Sequence, residues 1–156
     1  MEPKTKINAH AGKQELVITR EFDLPVEQLF QAHTEPELIE QWMNTKVLKQ
    51  ENKKHGSWQF ETRDPKGNIV FKANGTIHEF IPNRKITRTF EMENAFFGVQ
   101  LELLTFEKIT EDASKLTIQS IYESVALRDQ ILKLPFAYGL NMAHDKLETI
   151  LHELKK

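Results

Sequence analysis

The stretch FAYGLNMAHDKLETILHEL, residues 136–154, decides which class of fold the chain adopts. Its apolar residues recur every three or four positions, which is the spacing of one face of an α-helix. The pattern therefore predicts one long amphipathic helix at the end of the chain. Its apolar face is predicted to hold Phe136, Leu140, Ala143, Leu147, Leu151 and Leu154, with Asn141, Asp145, Lys146, Glu148 and Glu153 toward water.

The first clearly patterned element of the chain is predicted to be a strand. The run ELVITREF, residues 15–22, alternates apolar and polar side chains, and Arg20 is the exception on its apolar face. Residues 1–14 are weakly patterned, although residues 4–9 favour a short extra strand that turns back into this one.

Two short helices are predicted next. Asp23 and Pro25 mark a helix start, and TEPE at residues 34–37 is a capping-box pattern for a second helix, in which Thr34 would cap the first amides. Helices this short are unstable alone, so both must pack on a larger element.

The middle of the chain is predicted to form antiparallel strands, because the connecting segments are too short for parallel crossovers. Gly75, inside the longest strand, indicates a bulge or a sharp bend. The predicted class is α+β: a curved antiparallel sheet of about six or seven strands around the long C-terminal helix, with two short helices after the first strand. Further strands are predicted at 45–51, 57–63, 69–80, 84–92, 99–110 and 115–122, with a short helix at 124–133.

Composition excludes several classes of function. The 156 residues fit a single domain, and the absence of cysteine excludes disulfides, thiolate metal sites and cysteine nucleophiles. The formal charge of −2 disfavours nucleic acid as a partner. We find no apolar run long enough for membrane insertion and no signal-peptide pattern, so a cytoplasmic location is expected.

Several motifs in order resemble the START-like (SRPBCC, birch-pollen-allergen) helix-grip superfamily. Within it the chain is most similar to the AHSA-type branch, related to the C-terminal domain of the heat-shock-protein-90 ATPase activator. Many relatives have a second tryptophan and Gly-Pro after Trp42, where this chain has Met43, Asn44 and Thr45. The resemblance rests on VITREFDLP (17–25), TEPELIEQW (34–42), GSWQF (56–60), DPKG (64–67), GTIHEFIPNRKITRT (75–89) and the closing helix.

The resemblance implies a cavity between the sheet and the long helix. The chain has ten phenylalanines, two tryptophans and two tyrosines, many of them in predicted strands. These bulky side chains either line a usable hydrophobic cavity or fill it. The residues predicted to bind a ligand are Trp42, Trp58, Phe60, Phe71, Arg88, Phe90, Phe96, Phe97, Tyr122, Tyr138, Leu140 and Leu147.

The evidence for catalysis or a metal is weak. Glu79 shares a strand face with Ile77 unless a bulge lies between them, so it is a weak catalytic candidate with a pKa raised by burial. The histidines are scattered; His144 and His152 are too far apart along one helix to share a metal, and a solvated helix face explains His144 better. We expect no metal and no cofactor.

The loop ENAFFG, residues 93–98, carries two adjacent aromatic side chains. Phe96 and Phe97 could close the mouth of a cavity, pack on the two short helices as ordinary core, or form a surface for a partner. The pattern leaves all three open.

The leading hypothesis is non-enzymatic binding of a small apolar or amphipathic molecule inside the domain, with Phe96, Phe97 and the C-terminal helix controlling entry. A second hypothesis is a co-chaperone-like interaction module that contacts a heat-shock chaperone. A third is a cyclase- or hydrolase-like enzyme that uses residues of the cavity. The sequence does not define the oligomeric state.

Overall fold

A computed structural model of the chain describes residues 3–154, in which strands and helices follow the predicted order. The helices are α1 (Val26–Thr34), α2 (Pro36–Met43), α3 (Val125–Leu132) and α4 (Phe136–Leu154). The strands are β1 (Lys6–Asn8), β2 (Glu15–Phe22), β3 (Lys46–Gln50), β4 (Ser57–Arg63), β5 (Ile69–Ile81), β6 (Lys85–Met92), β7 (Val99–Thr110) and β8 (Ala113–Ile121).

The strands form an eight-stranded sheet in the order β1-β2-β8-β7-β6-β5-β4-β3. Every neighbouring pair is antiparallel. The α+β helix-grip class is therefore confirmed, and β1 brings the sheet to one strand more than the predicted six or seven. None of the helices within residues 3–154 is long and apolar enough to cross a membrane.

The two short helices form as predicted, but the capping box does not. The first residue before α2 is Glu35, and no side chain caps the helix. The Thr34 hydroxyl instead donates a hydrogen bond back to the Phe30 carbonyl of α1, at 3.2 Å. Thr34 is the last residue of α1, and only Glu35 separates it from α2. Its hydroxyl therefore bonds to a carbonyl of its own helix and not to the amides of α2. The capping-box prediction is therefore wrong.

The core lies between one face of the sheet and the helices. The C-terminal half of α4 contributes Leu147 and Leu151, which pack in a cluster with Trp42 of α2 and Phe60 of β4. A second, smaller cluster lies toward α3 and contains Leu16, Phe97, Tyr122 and Ile131. The N-terminal half of α4 contributes no residue to the fully buried part of either cluster.

Polar contacts hold the N-terminal half of α4. Arg20 is buried, and its guanidinium forms an ion pair with Asp145 at 2.8 Å and donates a hydrogen bond to the Asn141 side chain at 3.3 Å. Glu148 lies 3.9 Å from the same group and accepts a hydrogen bond from the Asp23 amide. Asp145 is exposed as expected, whereas Asn141 and Glu148 are half-buried instead of turned to water, because their partner comes from β2.

Gly75 permits a close approach between strands instead of producing a bulge. It lies opposite Trp58 in the β4–β5 register, which stays regular at this point. A Cβ atom at position 75 would lie 2.5 Å from Nε1 of Trp58 and would collide with the carbonyl oxygen of Thr89. The glycine is thus required by the Thr89 backbone and the Trp58 indole. A bulge at position 75 is not observed, and the register of β5 shifts between Ile77 and Glu79 instead.

We predict that Gly75→Ala lowers the free energy of unfolding by about 2 kcal/mol, because the added methyl group must displace Trp58 or the backbone of Thr89. Gly139→Ala is the matched control: nothing lies within 4 Å of a Cβ there, and Gly139 is inside α4. That change should raise the stability by about 0.5 kcal/mol. Urea denaturation of both variants measures the difference, and equal effects would contradict the steric argument.

Candidate functional site

A cavity of about 370 Å³ lies between the sheet and the N-terminal half of α4. The helices contribute to its lining His33, Ile39, Trp42, Met43, Phe136, Leu140, Ala143 and His144. The sheet and its connections contribute Ile18, Phe60, Phe71, Arg88, Phe90, Met92, Gln100, Glu102, Leu104, Ile118, Ser120 and Tyr122.

A row of polar side chains crosses the sheet under the cavity. Arg88 of β6 lies opposite Glu102 of β7, which lies opposite Ser120 of β8. The Arg88 Nε–H donates to Glu102 at 3.0 Å, and Gln100 donates to the other carboxylate oxygen at 3.0 Å. The guanidinium also lies 4.8 Å from the ring centroid of Trp58. The charges of the row therefore compensate each other inside the protein.

Tyr122 lies beside this row. Burial raises the pKa of its phenol to about 12, and the nearby Glu102 carboxylate adds to the increase. The phenol is therefore neutral at any physiological pH.

His33, on α1, lines the cavity as a neutral imidazole. Its Nδ1 lies 2.9 Å from the Leu29 carbonyl oxygen, which can only accept, so Nδ1 carries the hydrogen. Burial lowers the pKa of His33 to about 4, with a smaller contribution from the charge of Arg88. Nε2 is therefore an unprotonated acceptor, and it is buried without a hydrogen-bond partner among the described residues.

His144, on α4, is the second buried histidine of the lining. Its Nδ1 lies 2.8 Å from the Thr5 hydroxyl, which accepts a hydrogen bond from Arg20 at 3.2 Å. The Thr5 hydroxyl therefore links the Arg20 guanidinium to the His144 ring. Burial lowers the pKa of His144 to about 3, followed by the effects of His33 and Arg20. The expectation of a solvated helix face is wrong for His144, which is 1% exposed.

These two histidines do not complete a metal site. No group of three or more histidine, aspartate or glutamate side chains within residues 3–154 could hold a metal ion. The arrangement can offer hydrogen bonds and apolar surface to a molecule in the cavity.

The structure brings seven of the predicted ligand-binding residues together and leaves five outside. The seven that line the cavity are Trp42, Phe60, Phe71, Arg88, Phe90, Tyr122 and Leu140. Trp58 and Leu147 are fully buried core residues behind the lining, whereas Tyr138 is 73% exposed. Phe96 and Phe97 also lie outside the lining.

The two aromatics of the 93–98 loop have different environments. Phe97 is buried in the second cluster, with Tyr122 and Ile131, whereas Phe96 is 53% exposed. Of the three alternatives left open, packing on the two short helices does not describe Phe97, which packs toward α3. Phe97 packs in the same cluster as Tyr122, and Tyr122 lines the cavity. Phe97 therefore supports the cavity wall at Tyr122 without lining the cavity itself.

Glu79 points away from the cavity. The register of β5 and β6 shifts between Ile77 and Glu79, which turns the carboxylate to the outer face. There it pairs with Lys85 at 2.9 Å and accepts a hydrogen bond from Thr87. These contacts, the Lys85 hydrogen bond first, lower the pKa of Glu79, so the expectation of an inward carboxylate with a raised pKa is wrong.

The sequence interpretation missed five polar residues of the lining, His33, Gln100, Glu102, Ser120 and His144, and the following spacings locate all but Ser120. The alternation of β7 already places Gln100 and Glu102 on the same face as Leu104. His33 follows Leu29 by four positions on the apolar face of α1, and His144 precedes Leu147 by three on α4. Helix and strand periodicity could have found all four if polar residues had been counted as candidates for the inner face.

Comparison with known proteins identifies relatives of the fold. The model of the family described as "Activator of Hsp90 ATPase homolog 1-like protein" matches residues 23–152. The chain has no significant match among curated proteins. It resembles a crystal structure from Rhodobacter sphaeroides at 19% identity and a TM-score of 0.86, over 96% of this chain and 99% of that one.

Two further solved structures are similar. A crystal structure from Mycobacterium smegmatis has 18% identity and a TM-score of 0.82, over 94% of this chain and 96% of that one. A solution structure from Arthrobacter aurescens has 16% identity and a TM-score of 0.82, over 95% of this chain and 91% of that one. At these identities the similarity establishes the fold and nothing about ligands.

We predict that burial of His33 and His144 makes the protein less stable in mild acid. Because both folded pKa values lie below the ordinary 6.5, the unfolded chain binds more protons than the folded one as the pH falls from about 6.5 toward 4. The contribution of the two neutral histidines to the free energy of unfolding is therefore fully present above pH 7, and about 4 kcal/mol of it is lost by pH 5.

Urea denaturation at pH 7 and pH 5 measures this loss. His33→Phe should reduce the difference between the two pH values by about half, since one of the two groups is removed. His152→Phe, at an exposed position on α4, should leave the difference unchanged. A His33 Cε1–H resonance that titrates between pH 7 and pH 5 in the native protein would contradict the prediction.

Proposed function

The chain belongs to the family of Activator of Hsp90 ATPase homolog 1-like proteins, and from this premise we propose that it binds a small hydrophobic or amphipathic molecule without catalysing a reaction. Family and fold together support a ligand-binding or co-chaperone-like module. The observation that favours ligand binding is the 370 Å³ cavity under α4, whose lining is mainly apolar.

The size of the cavity supports this proposal. Ligand sites in proteins are typically about 300–1,000 Å³. The cavity of about 370 Å³ falls within that range.

The polar groups of the cavity favour binding over catalysis. Glu102 is held by Arg88 and Gln100, so it is not a free base. His33, with a pKa of about 4, is a weak base at neutral pH. We therefore place the cyclase- or hydrolase-like alternative below ligand binding.

The entrance is proposed to lie at the N-terminal end of α4. Phe136 and Leu140 of this helix, with Met43 of α2 and Met92 of β6, are among the half-buried residues of the lining. Flexible methionine side chains can adapt to ligands of different shape. In this proposal α4 controls entry to the cavity, whereas Phe96 and Phe97 lie outside the cavity lining.

We predict that Ala143→Leu weakens the binding of apolar probes about tenfold, because the larger side chain occupies the cavity under α4. Ala137→Leu is the matched control, since it makes the same chemical change at an exposed position of the same helix. Displacement of a fluorescent lipid analogue, followed at equilibrium, gives the affinities of both variants and the native protein.

Native mass spectrometry of gently purified protein complements this titration. A co-purified apolar molecule on the native protein that is absent from Ala143→Leu is the expected result. A clean apo mass, together with no displacement by any apolar probe, would refute ligand binding.

The second candidate function is a co-chaperone-like contact with a heat-shock ATPase, which the description of the family favours. Such a contact would use the outer surface, where Phe96 and Tyr138 are exposed. The expected result is stoichiometric binding to the ATPase in a pull-down and a changed rate of ATP hydrolysis. Ala143→Leu should leave both unchanged, because the altered side chain lies inside; no binding and no rate change would remove this candidate.

A further inference from the structure

Arg88 lines the cavity with most of its hydrogen-bond donors unused. A guanidinium carries five N–H groups, and in Arg88 the Nε–H donates to the Glu102 carboxylate at 3.0 Å. Nη1 and Nη2, which carry the other four hydrogens, have no hydrogen-bond partner among residues 3–154. The side chain is only 14% exposed, so these hydrogens require acceptors that the protein does not provide.

A small molecule can reach these two nitrogens. Arg88 lies on the inner face of β6, between Ile86 and Phe90. Among the buried and half-buried side chains within residues 3–154, six nitrogens and oxygens are both unpartnered and closed to solvent, and none of them belongs to Arg88. Nη1 and Nη2 are unpartnered, so they are open to a molecule of the size of water.

Contacts on the other sides of the guanidinium hold it in place. Its Nε–H bonds to Glu102, and Gln100 fixes that carboxylate by donating to its second oxygen at 3.0 Å. The central carbon of the guanidinium lies 4.8 Å from the ring centroid of Trp58, which is fully buried. A group that is already oriented loses little conformational freedom when a ligand binds. The open edge of Arg88 is therefore preorganised.

Glu102 does not cancel the charge of Arg88 throughout the cavity. The charge of Arg88 contributes to the lowered pKa of His33, whereas the charge of Glu102 contributes to the raised pKa of Tyr122. The ion pair therefore leaves a field across the cavity, positive toward His33 and negative toward Tyr122.

The open edge of Arg88 suits a carboxylate. In a planar guanidinium the edge formed by Nη1 and Nη2 points away from Nε, so a second carboxylate can bind there with the positive group between it and Glu102. Two N–H groups of this edge match two carboxylate oxygens, and such charge-assisted hydrogen bonds are about twice as strong as neutral ones. A ligand ammonium group would instead meet a charge of its own sign.

We propose that the cavity binds a monocarboxylate with an apolar body, and that the carboxylate accepts hydrogen bonds from Nη1 and Nη2 of Arg88. The apolar body lies under Leu140 and Ala143 of α4, which line the same cavity. This inference rests on the proposed function, since it names the class of ligand held there. Apolar area supplies most of the affinity, and Arg88 orients the molecule and discriminates between ligands of similar shape.

The experiment compares three two-ring aromatic probes with the full chain at pH 7: 2-naphthoate, 2-naphthamide and 2-ethylnaphthalene. They share an apolar body and differ in the attached group, which is an anion, a neutral amide of similar shape, and an alkyl chain. Each probe displaces the neutral fluorescent reporter N-phenyl-1-naphthylamine. We expect 2-naphthoate to bind about tenfold more tightly than 2-naphthamide.

Two arginine variants test whether Arg88 causes this preference. Arg88→Lys should remove most of it, because a lysine ammonium can keep the pair with Glu102 but lacks the fork of N–H groups. The affinity for 2-ethylnaphthalene should stay the same. Arg63→Lys is the matched control, since Arg63 also pairs with a glutamate, Glu61 at 3.1 Å, but lies outside the cavity lining. It should retain the full preference.

Each contrary outcome has a defined meaning. Equal or tighter binding of 2-naphthamide, or an unchanged preference in Arg88→Lys, overturns the role of Arg88 while leaving ligand binding intact. No binding of the reporter or of any probe overturns the proposed function itself. If Arg88→Lys does not fold, the Nη–H resonances of Arg88 in the native protein decide: they move downfield on addition of 2-naphthoate and not of 2-ethylnaphthalene, or the inference is wrong.

Discussion

The position of α4 over the sheet depends on the buried guanidinium of Arg20. It pairs with Asp145 at 2.8 Å, donates to Asn141 and to Thr5, and lies 4.9 Å from the ring of Phe22. Removing a charge from water is costly unless the charge is paired, so the helix and the sheet cannot slide apart or rotate without leaving this cation unpaired. Through the Thr5 hydroxyl, the same group is also linked to the buried ring of His144.

This constraint explains how a cavity can persist beneath a packed helix. The C-terminal half of α4 buries Leu147 and Leu151 in the main core, whereas Leu140 and Ala143 of the N-terminal half face the cavity. Apolar packing holds one half and polar contacts hold the other. If apolar contacts alone fixed the helix, its N-terminal half would gain stability by closing onto the sheet, because filled volume is favoured over void.

The sequence predicts the fold well, because the spacing of apolar residues along the chain determines which face of each helix or strand is buried. The spacing of residues 136–154 and the alternation of residues 15–22 are sufficient to predict α4 and β2. The site is predicted less well, because the hydrogen-bond and ion-pair partners of buried polar side chains depend on the register between neighbouring strands. Arg88 and Glu102 meet only across β6 and β7, and a one-residue shift turns Glu79 outward. A bulge leaves no periodic signal strong enough to be located by eye.

Several polar groups that line the cavity already have hydrogen-bond partners within the protein. Glu102 is satisfied by Arg88 and Gln100, and the indole N–H of Trp42 donates to the Ala32 carbonyl at 2.7 Å, so these groups gain nothing from a ligand. Trp58 Nε1 is unpaired but lies against Gly75, outside the lining. In the proposed function, the apolar walls of the cavity therefore set how tightly a molecule is held.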